Sequence, residues 1–511
     1  MRAAFAHPGR IAIVILAVLV SALSLLPLGF VVVGTVSTGW DTAVAMVLRP
    51  RVGELLSNTL LLILITVPLC LMIGTGGAWL VEKSHLAGRR WWAVLLAAPL
   101  AIPAFVNSYA WVSAIPSLSG LSSGVLVATL SYYPFVYLPV AAALSRMDPA
   151  LEETAAVLGH GPWRRFFTVV LPQCKLSLLG GGLLVGLHLL SEYGAFAFIR
   201  FDTFTTAIYE QYQSTFNSSA ATMLAGVLVL LCLVLLLAEG GLRGKARYAR
   251  LGTGSQAAPS REPLGVWQLP AQLLLAALAT AAFALPLWQV LRWVVAGGAE
   301  VWARPELVNS LGTTLGYGVA GAVVTVLASL PLSYLSVRRP GMVSKLLEGL
   351  NYVSSSMPGI VLALALVAVT IRAVPGLYQT SSVLLVGYLL LFIPRALVTV
   401  RTGLAQAPPQ LEEAAQSLGR RPFAAFWLVT ARLSAPAVAS AAALVFLGVV
   451  NELTATLLLA PNGTRTLASE FWSLSSEIDY AGAAPYALLM VLLSAPVTYL
   501  LFVQSKKVAG Q

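Results

Sequence analysis

Eight residues stand in two matching sets: Glu152, Glu153, Ala155 and Gly159, then Glu412, Glu413, Ala415 and Gly419, each 260 positions after its counterpart. They lie in LEETAAVLGHGPWRRFFTVVLP (151–172) and LEEAAQSLGRRPFAAFWLVTAR (411–432). Two adjacent carboxylates, a small residue and a glycine make neither a nucleophile–base pair nor a metal-ligand spacing. They suit a helix whose acidic start sits at the positive end of the dipole and whose end needs a left-handed cap. Pro149 opens this predicted helix and Gly159 closes it; Pro162 opens a second, with Trp163, Phe166, Phe167 and Val170 at helical spacing and Arg164 and Arg165 on its polar side. Such a unit has two uses. Its aromatics can dip into lipid while its arginines meet headgroups, or it can dock a soluble partner. Repetition of Glu-Glu, the later Ala and Leu-Gly favours docking, because lipid contact requires only amphipathicity.

A third matched pair is Glu192 in LLSEYGA and Glu452 in VVNELTA, again 260 apart, near the outer ends of apolar runs. Carboxylates inside a membrane are costly and are usually functional or paired. Their hard oxygens suit a hard trivalent ion, yet the same groups can brace a gate by hydrogen-bonding helix to helix. Both uses stay open, so these residues are assigned to a translocation path or gate. No firm metal site is expected: Cys70, Cys174 and Cys232 lie far apart without CxxC spacing, and the four histidines form no i, i+4 pair. The cysteines read as small buried hydrophobes.

The elements that must carry these residues are membrane helices. Of 511 residues 58% are hydrophobic and 10% charged, with mean hydropathy +0.85; a soluble domain usually has about 25% charged residues. The fold class is therefore all-α and polytopic. Apolar runs long enough to span a bilayer predict twelve helices, near 11–33, 59–81, 92–115, 124–145, 176–199, 220–242, 269–296, 311–337, 346–372, 382–403, 434–460 and 484–505. The third, ninth and tenth are interrupted by Pro and Ser. The first run is longer than the apolar region of a signal peptide and reads as a retained span. With both termini cytoplasmic, 24 of the 31 Lys and Arg fall inside, counting 395–432 as a loop. Acidic residues such as Glu54, Asp202, Glu470 and Asp479 lean outward, towards cations or basic protein surfaces.

The basic, small-residue stretch 243–265 reads as a cytoplasmic linker. It separates two pseudo-equivalent six-helix halves, 1–242 and 266–511, each with one polar segment after its fourth span. The duplication recurs in Pro134 and Pro394, Pro149 and Pro409, Thr206 and Thr466, and Glu210 and Glu470. Gly182 with Gly186, and Gly312 with Gly316, make small-residue patches suited to close helix contact.

Both polar segments resemble the EAA loop of importer-type ATP-binding-cassette permeases, of the binding-protein-dependent, MetI-like kind. Glu153-Thr154-Ala155 with Gly159 ends in Leu171-Pro172; Glu413-Ala414-Ala415 with Gly419 departs from the pattern, having Ala431-Arg432 in place of Leu-Pro. The resemblance implies that Glu152, Glu153, Ala155, Gly159, Glu412, Glu413, Ala415 and Gly419 form two coupling helices seated on an ATPase subunit, a homodimer matching the two loops. It implies a multi-pass protein of the bacterial inner membrane, supplied by a periplasmic or lipid-anchored binding protein. The chain has no GxxxxGK[ST], so it is expected to be a transport subunit, not an enzyme. ATP and magnesium belong to the partner, with no cofactor in this chain and no nucleic-acid partner. The fused form, with FDTFTTAIYEQY (201–212) and the outer loop 463–485, resembles ferric-iron permeases. Permeases for thiamine, polyamines, phosphonates and oxyanions share the layout, and a twelve-span secondary transporter is the rival class.

Overall fold

In the computed structural model, residues 8–213, 218–243, 261–355 and 357–508 are described. Most of the expected linker (244–260) and both extreme termini therefore lie outside the described residues. Helices carry nearly everything else; among the described residues the sole β-type pairing is an isolated bridge between Ser84 and Glu262.

Among the described residues eight helices are long and apolar enough to cross a membrane, and up to eleven spans result if each of three bent pairs counts as one. The bends sit where the sequence supplies a cause. The expected third span turns by 93° between Arg89–Ala101 and Ala104–Ala114, where Pro103 is extended (ψ 143°). The ninth expected span, 346–372, is not one helix: Met342–Ser355 is followed by Gly359–Ala373, with Pro358 extended in the same way. Proline lacks the N–H that would continue the ladder and pushes its predecessor out of the helical region. The tenth, Ser381–Ala405, is intact despite Pro394. It also contains Arg395 and Arg401, so both belong to a spanning helix rather than to the loop expected from 395 onward.

The chain packs as two compact units that interleave its sequence halves. One comprises the residues up to Val47, Ile208–Val229 and Ala303–Ser473. Within it Pro305–Arg338, Ser381–Ala405 and Arg432–Val450 form the centre. The helix Pro8–Ser24 packs on Pro305–Arg338 and is tied to Met342–Ser355 by a buried polar clasp, in which Ser24 donates to Asn351 Oδ1 at 2.9 Å and Asn351 Nδ2 donates to Ser21 at 2.9 Å. The other unit comprises Leu48–Ala207, Leu230–Trp302 and the residues from Leu474 onward. Its centre is Pro50–Lys83 against Pro134–Ser145 and Lys175–Ser191. The approach is close enough that a Cβ on Gly74 would come within 2.7 Å of Val136. Gly182 and Gly186 likewise meet Val67, Leu71 and Leu235, whereas Gly312 and Gly316 would meet nothing within 4 Å. All three cysteines are free and buried.

Candidate functional site: two repeated polar segments and two glutamates at helix breaks

The first polar segment folds as a helix, a turn and a second helix. Asp148 caps Pro149–Val157 by accepting a hydrogen bond from the Ala150 amide at 3.0 Å. Gly159 is left-handed (φ +80°), the His160 amide donates to the Ala155 carbonyl, and the Gly159 amide donates to Ala156. These paired bonds satisfy carbonyls that the helix end would otherwise leave open. The second segment repeats the arrangement: Pro409–Ser417, Gly419 at φ +85°, Arg420 to Ala415 and Gly419 to Gln416. Its cap differs, since Pro408 stands where the first copy has Asp148.

An added Cβ at Gly159 or Gly419 would touch nothing within 4 Å. Alanine there should therefore cost only the left-handed backbone strain, about 1–2 kcal/mol. Denaturant unfolding of Gly159→Ala measures it, and asparagine at the same site should recover part of the loss.

Each turn leads through Pro162–Arg165 or Pro422–Ala425 into a π-helical stretch, Phe166–Val170 or Phe426–Ala431. Beyond it the copies part. The first bends by 69° between Pro162–Gln173 and Lys175–Ser191, just after Pro172, while the second runs on as one apolar helix, Pro422–Val450. The bend follows from Pro172, which offers no N–H at the place where Arg432 does. The absent Leu-Pro of the second copy thus straightens the exit from its loop.

The paired glutamates divide their work. Glu152 is buried and receives Lys83 Nζ at 2.7 Å, with Lys83 the last residue of the 34-residue helix Pro50–Lys83. Glu412 receives Arg338 Nη2 at 2.6 Å, with Arg338 the last residue of the 34-residue helix Pro305–Arg338. Thr430 closes the second pair, donating to Glu412 and accepting from Arg338 at 3.2 Å. Glu153 and Glu413 are exposed. Ala155 packs inward and Ala415 is half-buried, as a small residue must where a helix lies close on its support. The first segment is also held by Arg165, which pairs with Glu262 at 2.8 Å. Lys83, Arg338 and Glu262 escaped sequence reading. A lysine or arginine closing a long apolar helix was the available signal, since a buried cation demands a carboxylate.

The outward surface is apolar at its centre. Trp163 and Phe167 lie 6.4 Å apart, and Phe423 and Trp427 6.1 Å apart, so the two copies present the same kind of aromatic pair with the residues exchanged. Leu158 and Leu418 stand beside them, strongly exposed.

Glu192 and Glu452 occupy equivalent helix breaks. Each follows a long helix (Lys175–Ser191 or Arg432–Val450) and precedes a short one (Gly194–Phe198 or Thr454–Leu459). One carboxylate oxygen accepts the amide of the residue three further on, Ala195 or Ala455, at 2.9 Å in both. The second oxygen of Glu192 accepts the Tyr132 hydroxyl at 2.6 Å. Phe392, which carries no hydroxyl, stands at the equivalent of Tyr132. Among the outward acidic residues, Glu54 and Asp202 share Arg51 and Glu470 meets Arg465, which neutralises part of the expected negative face.

Residues 74–243 and 325–510 match the protein family described as "Binding-protein-dependent transport system inner membrane component". Over 482 residues, 93% of this chain and 95% of the relative, the sequence is 35% identical to the Fe(3+)-transport system permease protein FbpB 2 of Haemophilus influenzae. It is 22% identical over 405 residues to the ferric transport system permease protein FbpB of Actinobacillus pleuropneumoniae, covering 75% of this chain and 58% of the relative. A sulfate transport system permease protein, CysW of Synechocystis, is 30% identical over 204 residues, 35% of this chain and 73% of the relative.

Proposed function

Because the chain belongs to the inner-membrane components of binding-protein-dependent transport systems, we propose that it is the permease of an ATP-driven importer whose cargo is ferric iron. The near full-length identity to a permease named for Fe(3+) carries the cargo. The repeated coupling segments carry the energy source: each is braced from behind by a cation, buried in the first copy and half-buried in the second, and offers an exposed Glu, a leucine and two aromatics to a partner. In this reading an ATPase homodimer seats on segments 151–172 and 411–432 and holds the ATP and magnesium. A periplasmic or lipid-anchored binding protein delivers the cargo outside. Movement of the segments switches access between the two sides of the membrane, a rigid-body step. Twelve membrane crossings, cytoplasmic termini and two permease domains, 1–242 and 266–511, complete the arrangement.

Glu192 and Glu452 then act at the gate. Each ties the end of one helix to the start of the next, so a change at the coupling segments, one helix away, reaches the break. An oxyanion cargo is the second reading, favoured by the relationship to a sulfate permease. Retention of a solute by the cognate binding protein separates the two: capture of sulfate with no capture of ferric iron would overturn the iron assignment. For the energy source, Glu153→Arg combined with Glu413→Arg should abolish ATPase association and uptake while leaving the fold intact, since both residues are exposed. Undiminished association and uptake would sink the assignment of these two segments as the docking surface.

A further inference from the structure

Arg395 lies in the middle of the spanning helix Ser381–Ala405, about 15 Å from its end at Ala405 and about 21 Å from Ser381. That helix is the most enclosed of the eight, with 67% of its apolar window buried. Yet Arg395 is exposed, together with Val398 and Thr402 one and two turns on. A charge facing hydrocarbon at that depth is costly, so an exposed stripe containing it faces water. The guanidinium lies 5.3 Å from the centre of the Phe392 ring and in the field of Glu452. Among the described residues no hydrogen bond or ion pair within 4 Å engages it. Glu452 is occupied elsewhere, by the Ala455 amide and, through its carbonyl, by the Thr456 hydroxyl. At the equivalent place in the first half stands Phe135, and the fold forms there without a cation.

We propose that Arg395 is a specificity residue that binds an anionic oxygen group of the cargo during passage. The proposal rests on the importer reading and deepens its iron assignment: a ferric ion would pass with an oxyanion attached, not bare. Five N–H donors in a fixed fork match two oxygens of an oxyanion or carboxylate, and among the described residues nothing engages them in a hydrogen bond. A bare trivalent cation would be repelled by this group, whereas a ferric ion carrying an oxyanion offers it a negative edge. The neighbouring Glu452 favours a cargo bearing both signs over a simple anion.

The test uses the complete transporter, with its ATPase and binding protein, in proteoliposomes. Two readouts are needed: binding of radiolabelled inorganic sulfate without iron, and radio-iron uptake with and without added sulfate or phosphate. Arg395→Gln should weaken sulfate binding at least tenfold and remove the stimulation of iron uptake by oxyanion; Arg395→Lys, which keeps the charge and loses the fork, should restore part of both. Retained thermal stability and ATPase association in Arg395→Gln exclude misfolding as the cause. Unchanged sulfate binding in Arg395→Gln would overturn the proposal. Uptake of sulfate or phosphate alone, lost in Arg395→Gln, with no iron uptake by the parent protein, would support the anion site and overturn the ferric assignment.

Discussion

Replacing Glu152 with alanine should destabilise the protein by about 3–5 kcal/mol, whereas the same change at the adjacent Glu153 should stay within about 0.5 kcal/mol. The difference follows from geometry. Lys83 keeps 2% and Glu152 10% of its side-chain exposure, and the two are 2.7 Å apart. Removing the carboxylate strands an ammonium group away from water, and that loss far exceeds what the pair contributes over an apolar replacement. Glu153 faces outward, and among the described residues no buried cation depends on it. Unfolding curves of the solubilised protein would show the contrast. Labelling of Cys174 adds a local readout, because this buried thiol lies within the electrostatic reach of the Lys83–Glu152 pair. Lys83→Met combined with Glu152→Leu should recover most of the stability. Equal effects of Glu152→Ala and Glu153→Ala would show that the pair is not the brace. The second copy is milder by design: Arg338 retains Thr430 after Glu412→Ala and is more accessible, so the loss there should be smaller.

Truncation of Trp163 and Phe423 together should weaken ATPase binding by roughly a thousandfold. Aromatic anchors at the centre of an interface contribute on the order of 2 kcal/mol each on truncation. Two that share no partner add, giving about 4 kcal/mol, or three decades in affinity. Both side chains are more than 70% exposed, so the variants should fold normally and the loss should appear in binding alone. Titration of the ATPase against the permease in nanodiscs measures it. If affinity holds while partition of the isolated 151–172 peptide into anionic vesicles falls, the aromatics belong to lipid and the docking assignment fails. The two copies exchange Trp and Phe between neighbouring positions. Single variants should therefore have similar effects, which makes any large difference a measure of how the straight exit of the second segment alters its grip.

The sequence by itself determined the all-helical, membrane-spanning class, the glycine-capped turns and the doubling of the polar segments. Each is decided within a few residues, by apolar period, by a proline that cannot donate, and by a glycine that alone accepts a positive φ cheaply. The equivalence of Glu192 and Glu452 was legible for the same reason, since an offset needs no third dimension. Contacts between residues far apart in the chain were decided only by the tertiary structure. It chose which glutamate of each pair turns inward, because that depends on Lys83 and Arg338, 69 and 74 residues earlier. It interleaved the halves, because Ser21 and Ser24 find their partner in Asn351. It also moved Arg395 from an expected loop into a spanning helix: counting charges locates membrane ends only where every cation lies outside the spans, and a cation in the middle of a packed helix breaks that premise.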